Sequence, residues 1–175
     1  MAEYNIELPL KDNVIEKLKI GDRVYLTGYM YTGRDAAHKR LADLIKDKQK
    51  LPIELKNQTI YYVGPAPAKK EQVIGSAGPT TSYRMDPYTI TLMEKGLKGM
   101  IGKGKRSKEV VDSIKKHKAI YFAAVGGAAA YISKCIKKKK LVAYEDLGTE
   151  AILKIYVEKF PVIVAVDSKG NDIYK

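Results

Sequence analysis

Strand-like and helix-like stretches alternate along this chain, and that alternation restricts its fold more than any other feature. Arg23 to Tyr31 carries the Val, Leu, Thr and Tyr content of a strand and stops at Thr32-Gly33-Arg34-Asp35. Ala37, Leu41, Leu44 and Ile45 then recur at helical spacing as far as about Lys48. The exchange repeats: a strand at Thr59 to Val63, a helix at Pro87 to Leu97, a short strand at Gly99 to Ile101. Ser107 is placed to cap a helix with Val110, Val111 and Ile114 on one face. A buried strand follows at Ala119 to Ala123, and Gly126-Gly127 opens an alanine-rich helix to about Ile136. A short strand at Tyr4 to Leu8 and a helical turn around Val14 to Leu18 precede this run. Leu141 to Tyr144 is β-like, and Ile152 to Tyr156 and Val162 to Val166 read as two strands joined at Phe160-Pro161. Lys169-Gly170-Asn171-Asp172 reads as a turn before a last strand. Such alternation predicts an α/β fold with a mixed sheet. With no repeat or Ser/Gly linker, the expectation is a single domain over residues 1–175.

Composition narrows the chemistry. Hydrophobic residues make up 45% of the 175 positions, enough for one buried core. The one cysteine, Cys135, excludes an internal disulfide framework and a self-contained iron–sulfur site, which needs three or four thiolates. No apolar run reaches the roughly 18 residues of a membrane span, and the N-terminus lacks a basic-then-apolar pattern, which reads as cytoplasmic. A net charge of +12 fits nucleic acid, an anionic membrane surface, an acidic partner or the lysine-rich surface of a thermophile. The 13 tyrosines do not follow the sheet-face pattern of an RNA-recognition module. The run Lys137 to Lys140 reads as an exposed helix end.

The segment Gly78-Pro79-Thr80-Thr81-Ser82-Tyr83-Arg84-Met85-Asp86-Pro87 sets three hydroxyls and a guanidinium before an Asp-Pro helix start. Asp86 is placed to cap that helix, and Pro87 suits its first turn. Arg34 likewise precedes the helix begun at Asp35, and Lys103 sits between Gly102 and Gly104 before the Ser107 helix. Loops of this kind gather at one edge of an α/β sheet, where ligands bind. Arginine grips a carboxylate with two parallel hydrogen bonds and lysine supplies a point charge, so the three cations suit a small dicarboxylate. Taken singly, each is more often a solvated cation. His38 reads as a packed histidine, His117 as surface, and Cys135 as a small hydrophobe.

Thr32-Gly33-Arg34-Asp35-Ala36-Ala37-His38-Lys39-Arg40 resembles the T-x-R-D-A-A-H-K-R signature of the β subunit of class I, iron–sulfur-dependent fumarases and the related L-tartrate dehydratases. Further motifs match in order: Tyr62-Val63-Gly64-Pro65-Ala66, Gly78-Pro79-Thr80-Thr81, Arg84-Met85-Asp86 and Met100-Ile101-Gly102-Lys103-Gly104. So do Gly126-Gly127-x-Ala129-Ala130, Glu145-Asp146-Leu147-Gly148-x-Glu150-Ala151 and Val166-Asp167-x-Lys169-Gly170-Asn171-Asp172. The match covers roughly residues 20 to 175.

The resemblance implies a swivelling β/β/α fold and a partner α subunit carrying a [4Fe–4S] cluster on three cysteines, in an α2β2 assembly. It implies that Arg34, Arg84 and Lys103 bind the substrate carboxylates, with Thr80 as the catalytic hydroxyl. The implied reaction is (S)-malate to fumarate and water, a step of the tricarboxylic acid cycle. A threonine hydroxyl is a weak base, so Thr80 needs a partner carboxylate to take its proton. Asp35 and His38 are assigned to capping and to holding the Arg34 loop. Two positions depart from the pattern: Tyr83 stands where a small residue is usual, and Gly33 where Ala or Ser is. The choice between fumarate and tartrate therefore stays open. The expected partners are the α subunit and a dicarboxylate, without nucleic acid or membrane, and the isolated chain is expected to be able to self-associate. A basic nucleic-acid-binding module is the alternative from another class.

Overall fold

The computed structural model describes residues 2–124 and 129–175. Seven strands form one mixed sheet: β1 (Glu3–Glu7), β2 (Arg23–Thr32), β3 (Thr59–Tyr61), β4 (Gly99–Gly102), β5 (Ile120–Ala124), β6 (Ile136–Ala143) and β7 (Ile152–Val166). Their order is β1-β2-β3-β4-β5-β7-β6, with an extra pairing of β2 to β7. Strands β2, β3, β4, β5 and β7 therefore close into a five-stranded, barrel-like ring, and β1 and β6 flank it. Neighbours from β1 to β5 run parallel, whereas β7 is antiparallel to β2, β5 and β6. This is the expected α/β fold with a mixed sheet.

Side chains alternate between two faces, as strand geometry requires. Tyr61, Ile101, Ile120 and Phe122 point to one apolar cluster with Val24, Leu26, Phe160 and Val164. Ile60, Met100 and Tyr121 point to the other, where α2 (Asp35–Lys46), α3 (Asp86–Glu94) and α4 (Lys108–His117) cover the sheet. Leu41, Leu92 and Ile114 are fully buried there, each contributing roughly 1.5–3 kcal/mol. Two shorter helices, α1 (Asp12–Ile15) and α5 (Ala129–Cys135), pack Ile15, Ile132 and Cys135 on the first cluster. Ser107 caps α4 as expected, accepting from the Val110 N–H at 3.2 Å.

Three local readings change. The lysine run lies in β6, the outermost strand of the order, because α5 ends at Cys135 and the chain enters the sheet at once. Charge on an edge strand hinders pairing with another chain, a use of lysine that local sequence does not distinguish from a helix end. The two expected C-terminal strands are one, β7. Pro161 sits in the gap where β7 leaves β6, last paired at Val157, and takes up β5, first paired at Val162. On that edge its missing N–H breaks no ladder bond. The expected last strand is a single bridge, Val166 to Asp172, and the turn before it is held by Asp167, whose carboxylate accepts from the Lys169 and Asn171 N–H groups. The Gly126-Gly127 turn lies outside the described residues.

Candidate functional site

Because β2, β3 and β4 are parallel, the segments that follow them emerge at one end of the ring. Arg34 follows β2, the Thr80–Arg84 segment follows β3, and Lys103 follows β4. The Thr80 N–H donates to the Tyr62 carbonyl at 2.8 Å. Thr81 bridges Lys103, with Ser82 N–H to Lys103 carbonyl at 2.9 Å and Lys103 N–H to Thr80 carbonyl at 3.3 Å. Thr80 and Lys103 are thus held together by backbone, and the Thr80 side chain is half-buried while Lys103 is exposed. Gly102 is obligatory in this crossing: a Cβ there would lie 2.0 Å from Ser82 Oγ and 2.8 Å from the Tyr62 ring.

Arg84 stands on a 3-10 turn, Ser82–Met85, that runs directly into α3. Its Nε donates to Asp35 Oδ2 at 3.0 Å. Asp35 therefore does not cap α2, whose N-terminal cap residue, Arg34, makes no side-chain cap bond. Asp35 couples the two arginines, being the chain neighbour of one and the ion partner of the other. Bonding through Nε leaves the Nη1/Nη2 edge of Arg84 for a bidentate carboxylate. Arg34 lies flat on Gly64, where a Cβ would come 3.0 Å from its Cδ and 3.1 Å from Nη1, and its Nε is 3.8 Å from Glu150.

Glu150 reaches Arg34 because a 3-10 segment, Glu145–Glu150, kinked at Gly148, precedes β7 at this same end. Arg40 pins that turn to α2 with two bonds to Asp146, 2.9 and 2.6 Å long, and stacks over the Tyr144 ring. Two of the motifs separated in sequence are therefore one contact in space.

His38 is buried and hydrogen-bonded through Nδ1 to the Arg34 carbonyl at 2.8 Å, so it holds the Arg34 loop as expected. A carbonyl only accepts, so Nδ1 carries the proton. Burial pushes the imidazole down to about 4; the neighbouring Arg106 pushes the same way, while the Arg34 carbonyl and Asp35 oppose it. His38 Nε2, Arg34 Nε, Asp35 Oδ1 and Tyr144 OH are buried without a hydrogen-bond partner among the described residues. Native interiors rarely leave such atoms unpaired, and these four gather at the end of the ring that carries the cations.

The groove of about 620 Å³ beside exposed Tyr83 runs along Pro87, Ile90 and Lys105 and includes none of Arg34, Thr80, Arg84 or Lys103. The groove is the wrong place for diacid chemistry, since its wall is largely apolar; the cations lie on an open face next to it.

Asp86 is the second corrected assignment. It caps nothing in α3; its carboxylate accepts from Arg106 Nε and from the Ser107 N–H, each at 2.7 Å. Arg106, between Lys105 and Ser107 in sequence, is fully buried. The chain has only five arginines among its 32 cations. Arg34, Arg40, Arg84 and Arg106 each face a carboxylate at or beside this end of the ring. In a lysine-rich chain the rare arginine was the signal that would have found Arg40 and Arg106.

Among the described residues no three His, Cys, Asp or Glu side chains converge on a metal. Cys135 packs at α5, its thiol turned to the Tyr131 and Lys159 carbonyls. The residues of this chain do not fit an iron–sulfur cluster. No helix among the described residues is long and apolar enough to cross a membrane.

The chain is 41% identical over 178 residues to "Fumarate hydratase class I, anaerobic" of Escherichia coli (strain K12), covering 99% of this chain and 32% of that protein. It is 40% identical over 182 residues to "Fumarate hydratase 2" of Leishmania major, again covering 99% of this chain and 32% of the relative. The "Putative L(+)-tartrate dehydratase subunit beta" of Methanocaldococcus jannaschii is 38% identical over 179 residues, which is 99% of this chain and 91% of that one. The chain thus spans about a third of the length of the fumarate hydratases it matches. The family model described as Fumarase C-terminus matches residues 2–175, and the chain belongs to that family.

Proposed function

We propose that this chain is the substrate-binding β subunit of a two-subunit iron–sulfur hydro-lyase, acting in the cytoplasm on (S)-malate and fumarate. The observation that carries the reading is the Arg34-Asp35-Arg84 arrangement: Arg84 is held by the carboxylate of Asp35, the chain neighbour of Arg34, beside Lys103 and Thr80, at the end of the ring where buried polar atoms lack partners. Arg84 and Lys103 take the carboxylates of the diacid, Arg34 orients it, and the Thr80 hydroxyl lies beside the reacting carbons. The site is open, so a second chain has to cover it and exclude water. That chain is the α subunit, which also holds the [4Fe–4S] cluster, in an α2β2 assembly.

Tartrate is the second reading. One relative of nearly this chain's own length is named as a tartrate dehydratase subunit, whereas the fumarate hydratases compared above are about three times longer. Anaerobic co-expression with the candidate α subunit, followed by parallel assays on malate and tartrate, separates the two. Turnover of malate that needs both chains and falls at least 100-fold in kcat/KM in Arg84→Ala is the expected result. Preference for tartrate changes the substrate alone. A cluster-loaded complex that turns over neither overturns the reading.

A further inference from the structure

Beneath the cations lies a largely buried polar network centred on the Arg106 side chain, which is fully buried, while Asp86 is 11% exposed at the wall of the groove beside Tyr83. Arg106 donates from Nε to Asp86 at 2.7 Å, and from Nη2 to Thr89 Oγ1 at 3.0 Å and to the Tyr62 hydroxyl at 3.3 Å. Its guanidinium carbon lies 4.8 Å from the Tyr121 ring centroid and 5.3 Å from that of Tyr62. Asp86 also accepts from the Ser107 N–H, and Thr89 donates onward to the Met85 carbonyl at 2.7 Å. The Tyr121 hydroxyl donates to the Gly104 carbonyl at 2.8 Å and accepts from Ser82 Oγ at 2.7 Å.

Three of these contacts, Arg106 to Asp86, Arg106 to Thr89 and Ser107 to Asp86, tie the same two segments directly, and Tyr121 of β5 bridges them between Ser82 and Gly104. Ser82, Met85, Asp86 and Thr89 belong to the turn and helix that carry Arg84. Gly104, Arg106 and Ser107 belong to the loop that carries Lys103. A buried ion pair is weak support for stability, since well-packed apolar residues often replace one at no cost, so its effect is better sought in the geometry it imposes. Burial alone would weaken the charge on Arg106, but the Tyr62 hydroxyl and the Asp86 carboxylate outweigh that and keep it protonated.

We propose that Arg106, acting with Asp86, is a positioning residue that fixes the Thr80–Arg84 turn against the Lys103 loop and so sets the spacing of the anion-binding groups. The inference rests on the diacid reading of the site. The Arg106 side chain is fully buried beneath the groove wall and is not one of the cations of the open face; it acts through the α3 side chains it bonds and the loop that carries it. Lysine keeps the charge but cannot bond Asp86, Thr89 and Tyr62 together, because it lacks the planar fork.

The test uses Arg106→Lys and the double variant Arg106→Met/Asp86→Asn, which removes the pair without leaving a lone buried charge. In the co-expressed complex, positioning predicts a KM for the turned-over diacid raised about tenfold or more in both variants. A merely structural role predicts a smaller active fraction at unchanged KM, and that result overturns the proposal. Hydrogen exchange on the purified chain supplies a readout independent of turnover. The Ser82, Lys103 and Ser107 amides are expected to exchange at least tenfold faster in the variants, with α2 amides unchanged. Wild-type exchange at all three amides overturns the coupling even if the complex proves inactive on both diacids, and that inactivity alone would overturn only the proposed reaction.

Discussion

Replacing His38 by Asn removes a titrating ring while keeping an N–H placed to bond the Arg34 carbonyl. In the wild-type fold burial holds the imidazole at about 4, whereas in the unfolded chain it titrates near its ordinary value of about 6.5. The unfolded chain therefore takes up the proton first as pH falls. The stabilising contribution is complete above about pH 6.5 and is lost progressively as pH drops towards about 4. The separation corresponds to about 3 kcal/mol over the whole window, of which about 2 kcal/mol disappears between about pH 7 and pH 5. With a urea dependence of about 2 kcal/mol per molar, the wild-type midpoint falls by roughly 1 M across that interval for this reason alone. The Asn variant starts lower at neutral pH, because it loses the edge contact between His38 and Tyr62, 5.2 Å between centroids. Its midpoint, however, lacks this pH-dependent fall. Urea titrations of both proteins at the two pH values give the comparison directly. Parallel movement of the two midpoints would refute the assignment of His38 as a neutral, buried ring.

Gly64→Ala places a methyl 3.0 Å from Arg34 Cδ, so the guanidinium has to move; the complex should show a KM raised several-fold with a melting temperature near wild type, and an unchanged KM would separate Arg34 from substrate. Gly102→Ala drives a methyl into Ser82 Oγ and should cost about 2 kcal/mol or more by urea unfolding, part of it regained on adding Ser82→Ala, whose Cβ still lies 3.2 Å away. Lys138→Thr with Lys140→Thr removes charge from the outer strand, and light scattering at rising concentration should report stronger self-association than for the wild-type chain.

Sequence made the strand and helix order legible because each element carries its own period, and it placed Arg34, Thr80, Arg84 and Lys103 after parallel strands, where they share one end of the ring. It failed where a residue's partner is remote. Asp86 beside Pro87 looks locally like a cap, yet its preferred donors, Arg106 Nε and Ser107 N–H, lie 20 and 21 positions along the chain. Asp35 looks like a cap for the same reason, and Arg84, 49 positions away, takes its carboxylate instead. The lysines of β6 and Pro161 in β7 carry local signals for a helix end and a strand break, but which edges those strands leave unpaired is decided only by the sheet order.

The ring is closed by a strand from the far end of the chain. Leu153 N–H bonds Thr32 Oγ1, and Lys159 N–H bonds Thr27 Oγ1, across 121 and 132 positions. During synthesis β2 waits on the ribosome with one edge bare until β7 has emerged, because no earlier strand takes that edge. Non-local pairing of this kind folds slowly and leaves an adhesive edge exposed meanwhile. The turn Glu145–Glu150 that faces Arg34 is delivered by the same late segment, so the end of the ring that carries the arginines is assembled last. A nascent chain stalled before β7 would carry the arginines without their scaffold, and a partner subunit that reads this end would dock only on finished chains.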